Sequence, residues 1–206
     1  MCYIVFIMKK ILIFLLVAFF SSASMADDES LVARAEKAIN SFKTAQGMFK
    51  QYNADSSIFT GEFWINKPGK MRFEYAYPNK NFIVSNGSFI FYWDEDLQQQ
   101  TNAPLSYTPA GIILNEEIKF GDEIKVKNVI EEEDYFAVDI YSEENEDMGF
   151  ISLTFDKSND RLTQWKISEM NGSSTIIRLS ESQFDVDLDE DKFDFEDPRY
   201  DPFKLN

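Results

Sequence analysis

Carboxylates are the one reactive group this chain holds in quantity. Its 206 residues carry 36 aspartates and glutamates against 20 lysines and arginines, with no histidine and a single cysteine, Cys2. Without an imidazole there is no base for a serine triad, and without histidine or a cysteine cluster the usual zinc sites are missing. Two carboxylates could in principle hydrolyse a glycoside by acid–base catalysis. No spacing singles out such a pair, so no catalytic residue, metal or cofactor is expected. Asp185, Asp187, Asp189 and Asp191 alternate as calcium ligands do, yet they lack the glycine and the spacing of a calcium loop. What remains is apolar chemistry. Twenty phenylalanines, nine tyrosines and three tryptophans make binding of something large and greasy the function these residues favour.

The elements that must position those rings are strands. Ile58 to Asn66 runs into Lys67-Pro68-Gly69-Lys70, whose Pro-Gly pair signals a turn. Met71, Phe73, Tyr75 and Tyr77 then alternate with Arg72 and Glu74, which puts the four apolar residues on one face of a pleated strand. A strand over 81–85 meets Asn86-Gly87, a pair suited to a two-residue hairpin turn, and a strand over 89–93 returns. Phe63, Ile65, Met71, Phe73, Tyr75, Phe89 and Phe91 are therefore expected to supply one concave wall. Such a wall, unlike a core, is expected to accept Phe73→Glu without unfolding.

Upstream, Asp27-Asp28-Glu29-Ser30 offers a cap and first-turn acids to a helix with Leu31, Ala35, Ala38, Ile39 and Phe42 on one face. A weak strand is expected over 44–52 and a polar one over 97–101. Thr108-Pro109 then starts a short apolar helix containing Ile112 and Ile113, which must dock on something because it is too short to stand alone. Further strands are expected over 124–130, 135–141, 150–155, 162–170 and 174–179, with a last one carrying Phe193 and Phe195. The pattern is a strongly curved antiparallel sheet of about ten strands with one or two helices and no βαβ unit.

The N-terminus reads as an address. Lys9-Lys10, the apolar run Ile11 to Phe20, and the small residues 21–26 fit a secretory signal cleaved after Ala26. Met8 is an alternative start to Met1. Cleavage removes Cys2, and no cysteine follows the apolar run to take a lipid, so an exported protein without a membrane anchor is expected. The net charge of −16, deepened by loss of the two lysines, makes nucleic acid and anionic membranes poor partners.

The block Gly61-Glu62-Phe63-Trp64-Ile65-Asn66-Lys67-Pro68-Gly69-Lys70-Met71-Arg72-Phe73-Glu74-Tyr75, followed by Pro78, Ile83-Val84-Ser85-Asn86-Gly87 and Phe91-Tyr92-Trp93-Asp94, resembles the outer-membrane lipoprotein carrier family, LolA. Phe49-Lys50-Gln51, Thr108-Pro109 with its aliphatic helix, Leu153-Thr154-Phe155-Asp156 and residues 193–198 extend the resemblance over residues 27–206. It implies a single domain: an unclosed, half-open antiparallel β-barrel of ten or eleven strands. Its concave hydrophobic face would be covered by an N-terminal helix and short internal helices.

The resemblance further implies a monomeric periplasmic chaperone that receives acylated lipoproteins from an inner-membrane ABC transporter and passes them to an outer-membrane acceptor, where one exists. Lys67 falls where the family commonly has an arginine that hydrogen-bonds the lid. Its parity with Phe63 and Ile65 puts its stem in the cavity, with its ammonium expected on the carbonyls of the helix over 108–114. Glu95 departs from a frequent proline. A glycolipid carrier, an acceptor lipoprotein or a lipid-sensing regulator on the same fold stands as the alternative, though an acceptor would need a lipidation cysteine. A purely structural β-domain, its aromatics only core, is the remaining possibility.

Overall fold

The computed structural model describes residues 21–144 and 149–200. The apolar run of the expected signal lies outside them, as do Cys2, Met1 and Met8. Helix α1, Ser21–Asn40, is already under way at residue 27. The acids expected to cap it therefore sit inside the helix, with Asp28 and Glu29 exposed, while Leu31, Ala35, Ala38 and Ile39 are buried along one face as their spacing requires, and Phe42, just past the end of the helix, is buried as well.

Eleven antiparallel strands follow: β1 Thr44–Tyr52, β2 Ile58–Asn66, β3 Lys70–Tyr75, β4 Phe82–Asn86, β5 Phe89–Asp94, β6 Gln99–Pro104, β7 Ile124–Glu131, β8 Tyr135–Ser142, β9 Phe150–Asp156, β10 Leu162–Ser168 and β11 Ser174–Phe184. They form one sheet in the order β6-β5-β4-β3-β2-β1-β11-β10-β9-β8-β7. Two meanders thus join where the first strand pairs with the last, Phe49 opposite Leu179 and Gln51 opposite Ile177. The outermost strands, β6 and β7, do not pair with each other, so the barrel is unclosed.

Residues 105–123 lead from one open edge to the other through a 3-10 turn, Leu105–Tyr107, and helix α2, Pro109–Ile113. Thr108 stands before α2, but its hydroxyl donates to the Leu105 carbonyl at 2.8 Å rather than capping the helix. On its way to β7 this segment is tied to α1. Asn40 donates to the carbonyl of Ile118 at 2.7 Å and accepts from its N–H at 2.9 Å, filling both backbone valences as a strand neighbour would, and the Phe120 N–H donates to Glu36 at 2.7 Å.

Packing at the centre of the sheet depends on two glycines. Gly47 lies opposite Phe63, and Phe49 opposite Gly61, so each ring spreads over the neighbouring strand where a side chain is missing. A Cβ on Gly61 would come within 2.0 Å of the Glu74 carbonyl oxygen and 2.6 Å of the Phe49 ring. Only glycine allows the two strands to carry buried phenylalanines side by side.

The C-terminal residues do not form the strand that the alternation of Phe193 and Phe195 predicts. Asp189 accepts a hydrogen bond from the Asp191 N–H at 3.2 Å and starts a 3-10 turn, Glu190–Phe193. That turn lays the segment across the convex face of β2 to β5. Glu190 pairs with Lys70, the Lys192 ammonium lies 3.8 Å from the Trp64 ring centre, and Phe195 stacks on Phe91 at 4.9 Å. Beneath it a small second core gathers Phe82, Val84 and Trp93. The main core fills the concave side.

Candidate cavity and lid

Between the concave face and α2 lies a cavity of about 180 Å³. Both halves of the sheet build it. Ile65 of β2, Met71 and Phe73 of β3, Ile83 of β4 and Ile90 of β5 form one wall; Trp165 and Ile167 of β10 and Ile177 of β11 form the other. Pro109, Ala110, Ile113 and Leu114 roof it, and Gln51 and Thr108 are the polar residues in its lining. A lining of this kind offers water too few partners to hold it, so the space is suited to hydrocarbon.

The expected wall is partly re-assigned. Phe63 is fully buried behind Phe73, its ring 5.8 Å away, and Tyr75 packs into the core with its hydroxyl donating to Gln51 at 2.9 Å. Phe73 is both wall and core: it is 4 % exposed and meets Phe49 at 4.8 Å and Trp165 at 5.9 Å. An acceptance of charge at this position is not what such burial allows. Ile113 faces the cavity, whereas Ile112 lines an open polar basin of about 790 Å³ on the other side of α2, with Lys70, Asn86, Glu116 and Glu123. The lid helix is a partition between an apolar space and a polar one.

Phe89 and Phe91 lie on the convex face. Phe91 pairs with Val84 and joins the second core, Phe89 is 44 % exposed, and the cavity-facing residue of β5 is Ile90. The segment Phe89-Ile90-Phe91-Tyr92-Trp93 is apolar on both parities, so alternation cannot choose its face. The hairpin sets Ile90 opposite Ser85 and Phe91 opposite Val84, but residues 76–81 between β3 and β4 impose no register that would say which of the two faces points inward.

Lys67 is buried, at 7 % exposure, with its stem inward as its parity requires. Its ammonium does not reach α2. It donates to the Ile39 carbonyl at 2.6 Å and lies 4.4 Å from the Phe42 ring centre. The last turn of α1 presents carbonyls that have no partner within the helix, and its dipole places negative charge there. That combination draws the cation to α1 instead of α2. The lid is tied two residues further on, where the Gly69 N–H donates to the Leu114 carbonyl at 2.8 Å and the buried Ser85 hydroxyl donates to the Gly69 carbonyl at 2.7 Å. No sequence pattern marks those two bonds.

Burial lowers the Lys67 pKa from 10.5 to about 8 and raises that of Tyr75 to about 12. Between pH 8 and 10 the unfolded chain holds the lysine proton that the folded chain has released, so stability rises with pH through that window. At about 1.4 kcal/mol per pKa unit the rise is on the order of 2 to 3 kcal/mol. Above pH 10 the folded chain keeps the Tyr75 proton that the unfolded chain loses, and stability falls again. Urea denaturation from pH 7 to 11 is expected to show this maximum in the wild type and no rise between pH 8 and 10 in Lys67→Met. Parallel profiles would remove Lys67 from the account.

Among the described residues no group of three or more Asp, Glu, His or Cys side chains is gathered to hold a metal, and no helix is long and apolar enough to cross a membrane. The family model described as outer membrane lipoprotein carrier protein LolA matches residues 40–196. Relatives named outer-membrane lipoprotein carrier protein include one from Methylococcus capsulatus, 27% identical with 81% of this chain and 83% of its own length covered. Another, from Azotobacter vinelandii, is 26% identical with coverage of 92% and 94%. The likeness therefore runs the length of both chains and is not confined to the aromatic block.

Proposed function

We propose, for a chain that belongs to the LolA family of outer membrane lipoprotein carrier proteins, that it works as a monomeric periplasmic shuttle: it takes the acyl chains of lipoproteins released at the inner membrane and gives them up at the outer membrane. The reading includes removal of residues 1–26 on export, with 27–206 as the working domain. A releasing ABC transporter at one end of the route and an acceptor at the other are the partners this reading requires.

The observation that carries it is the apolar cavity roofed by a helix of one and a half turns. An acyl chain of ~15 methylenes at ~0.8 kcal/mol each is held in a membrane by on the order of ten kcal/mol, and a soluble carrier has to replace most of that contact. An apolar cavity of roughly 150 Å³ takes one benzene ring, so about 180 Å³ accepts only a stretch of hydrocarbon about half an acyl chain long. Loading must enlarge the space. Helix α2, five residues long, is too short to be stable on its own and is the part of the enclosure with least to lose by moving.

Native mass spectrometry of the protein purified from its own periplasm tests the proposal. The expected complex carries an acylated protein. A bound glycolipid without protein would replace the reading by a glycolipid carrier, and a chain recovered without any lipid from cells actively exporting lipoproteins would count against a cargo cavity altogether.

A further inference from the structure

The convex face where the two meanders join carries a charge pattern that the carrier reading does not use. Lys50 of β1 and Arg178 of β11 are directly opposite one another, an arrangement in which like charges repel. Both cations lie over the same ring: the Lys50 ammonium is 5.3 Å and the Arg178 guanidinium 5.2 Å from the centre of Tyr52. Lys166 of β10 is adjacent, paired with Ile176, which in turn is paired with Tyr52. Among the described residues none of the three cations is in an ion pair, a state they share with several scattered lysines and with Arg161; what sets these three apart is that the strand pairing makes them neighbours on one face. In a chain with 36 acidic side chains, three neighbouring cations left without carboxylates are a surface waiting for them.

The surroundings narrow the partner. Gln164 accepts from the Arg178 Nε at 3.0 Å, which fixes the guanidinium plane and leaves its two terminal nitrogens as a fork for a carboxylate. From Arg178 and Lys166 a groove of about 590 Å³ runs over Ser152 and Thr154 toward Asp139. It crosses β10, β9 and β8, about 14 Å at the usual strand spacing, long enough for several residues of extended chain. Asp139, the one carboxylate in the groove lining, lies at its far end with Asn128 at 3.5 Å. We propose that this face docks a short, extended, acidic segment of a partner protein, with its carboxylates on Lys50, Arg178 and Lys166. An anionic bilayer is the poorer match, because a broad negative surface meets the whole −16 charge of the chain, while a few residues lie within the ~8 Å screening length of the patch alone.

The inference does not rest on the carrier reading, and its test needs no lipid. Fluorescein-labelled hexaglutamate, followed by fluorescence anisotropy at low salt, is expected to bind the full exported chain saturably and to be released as salt is raised. Lys50→Gln/Arg178→Gln should weaken binding about tenfold or more, the effect of losing one or two charge-assisted hydrogen bonds. Lys119→Gln/Lys125→Gln removes the same charge elsewhere and should leave binding as it was. Both pairs are on the surface, and circular dichroism should show both folded. Absence of hexaglutamate binding overturns the proposal, as does an equal loss in the two variants. Recruitment to phosphatidylglycerol vesicles through Lys50 and Arg178, with hexaglutamate failing to compete, would assign the patch to lipid instead.

Discussion

Phe73→Ala is expected to destabilise the fold by about 3 to 5 kcal/mol. The ring is 4 % exposed and touches Phe49, Phe63 and Trp165, aromatic residues from three other strands of both meanders. Its other side already faces the cavity of about 180 Å³. A void opened by truncation merges with that space instead of collapsing, which places the cost toward the upper end of the range. For a chain of this length the midpoint of thermal unfolding should fall by roughly 10 °C, and Phe73→Leu should recover most of it. A loss below about 1 kcal/mol in denaturant titrations would mean that the ring is only a wall and that the core lies elsewhere.

Ile167→Glu separates binding from folding where changes at Phe73 cannot. Ile167 lines the cavity, pairs with Ile151 and Thr175, and is only partly buried. A carboxylate there can reach water in the empty protein, so the fold should persist. With hydrocarbon in the cavity the same carboxylate must lose its hydration or take a proton. Affinity for a fluorescent acyl probe is expected to drop by about a hundredfold, a change of roughly 3 kcal/mol. Because binding then favours the protonated form, affinity should recover as pH is lowered, which the wild type will not show. Full affinity in a folded variant at neutral pH would exclude this wall from the binding site.

Local pattern carried much of the fold, and long-range pairing carried what pattern could not. The alternation of Met71 and Phe73 against Arg72 and Glu74 places the first two toward the cavity, because one parity is apolar and the other charged. The stripe from Leu31 to Phe42 is buried for the same reason. Where both parities are apolar, as in β5, the face is decided by a register set across residues 76–81, and Ile90 rather than Phe89 or Phe91 lines the cavity. Trp165, Ile167 and Ile177 became cavity residues only through the pairing of β1 with β11, a contact between opposite ends of the domain. The parity of Lys67 gave the direction of its stem but not its acceptor, since parity selects a face of the strand and the Ile39 carbonyl is brought to that face only by the packing of α1. At the C-terminus Phe193 and Phe195 alternate like a strand, yet Asp189 turns the backbone first.

The missing pair between β6 and β7 gives the enclosure an adjustable girth. A closed barrel has its radius fixed by strand number and stagger, and widening it means breaking a ladder of hydrogen bonds. Here the circumference is completed by residues 105–123, a peptide strap fastened at Gly69, Asn40 and Glu36. Letting out that strap at Gly69 exchanges one backbone bond for another partner, at a net cost of about 1 kcal/mol, while all ten strand pairings in the sheet stay intact. On the carrier reading, cargoes of different bulk would then be accommodated by circumference, and the stiffness of the strap, more than the shape of the wall, would set how tightly each is held.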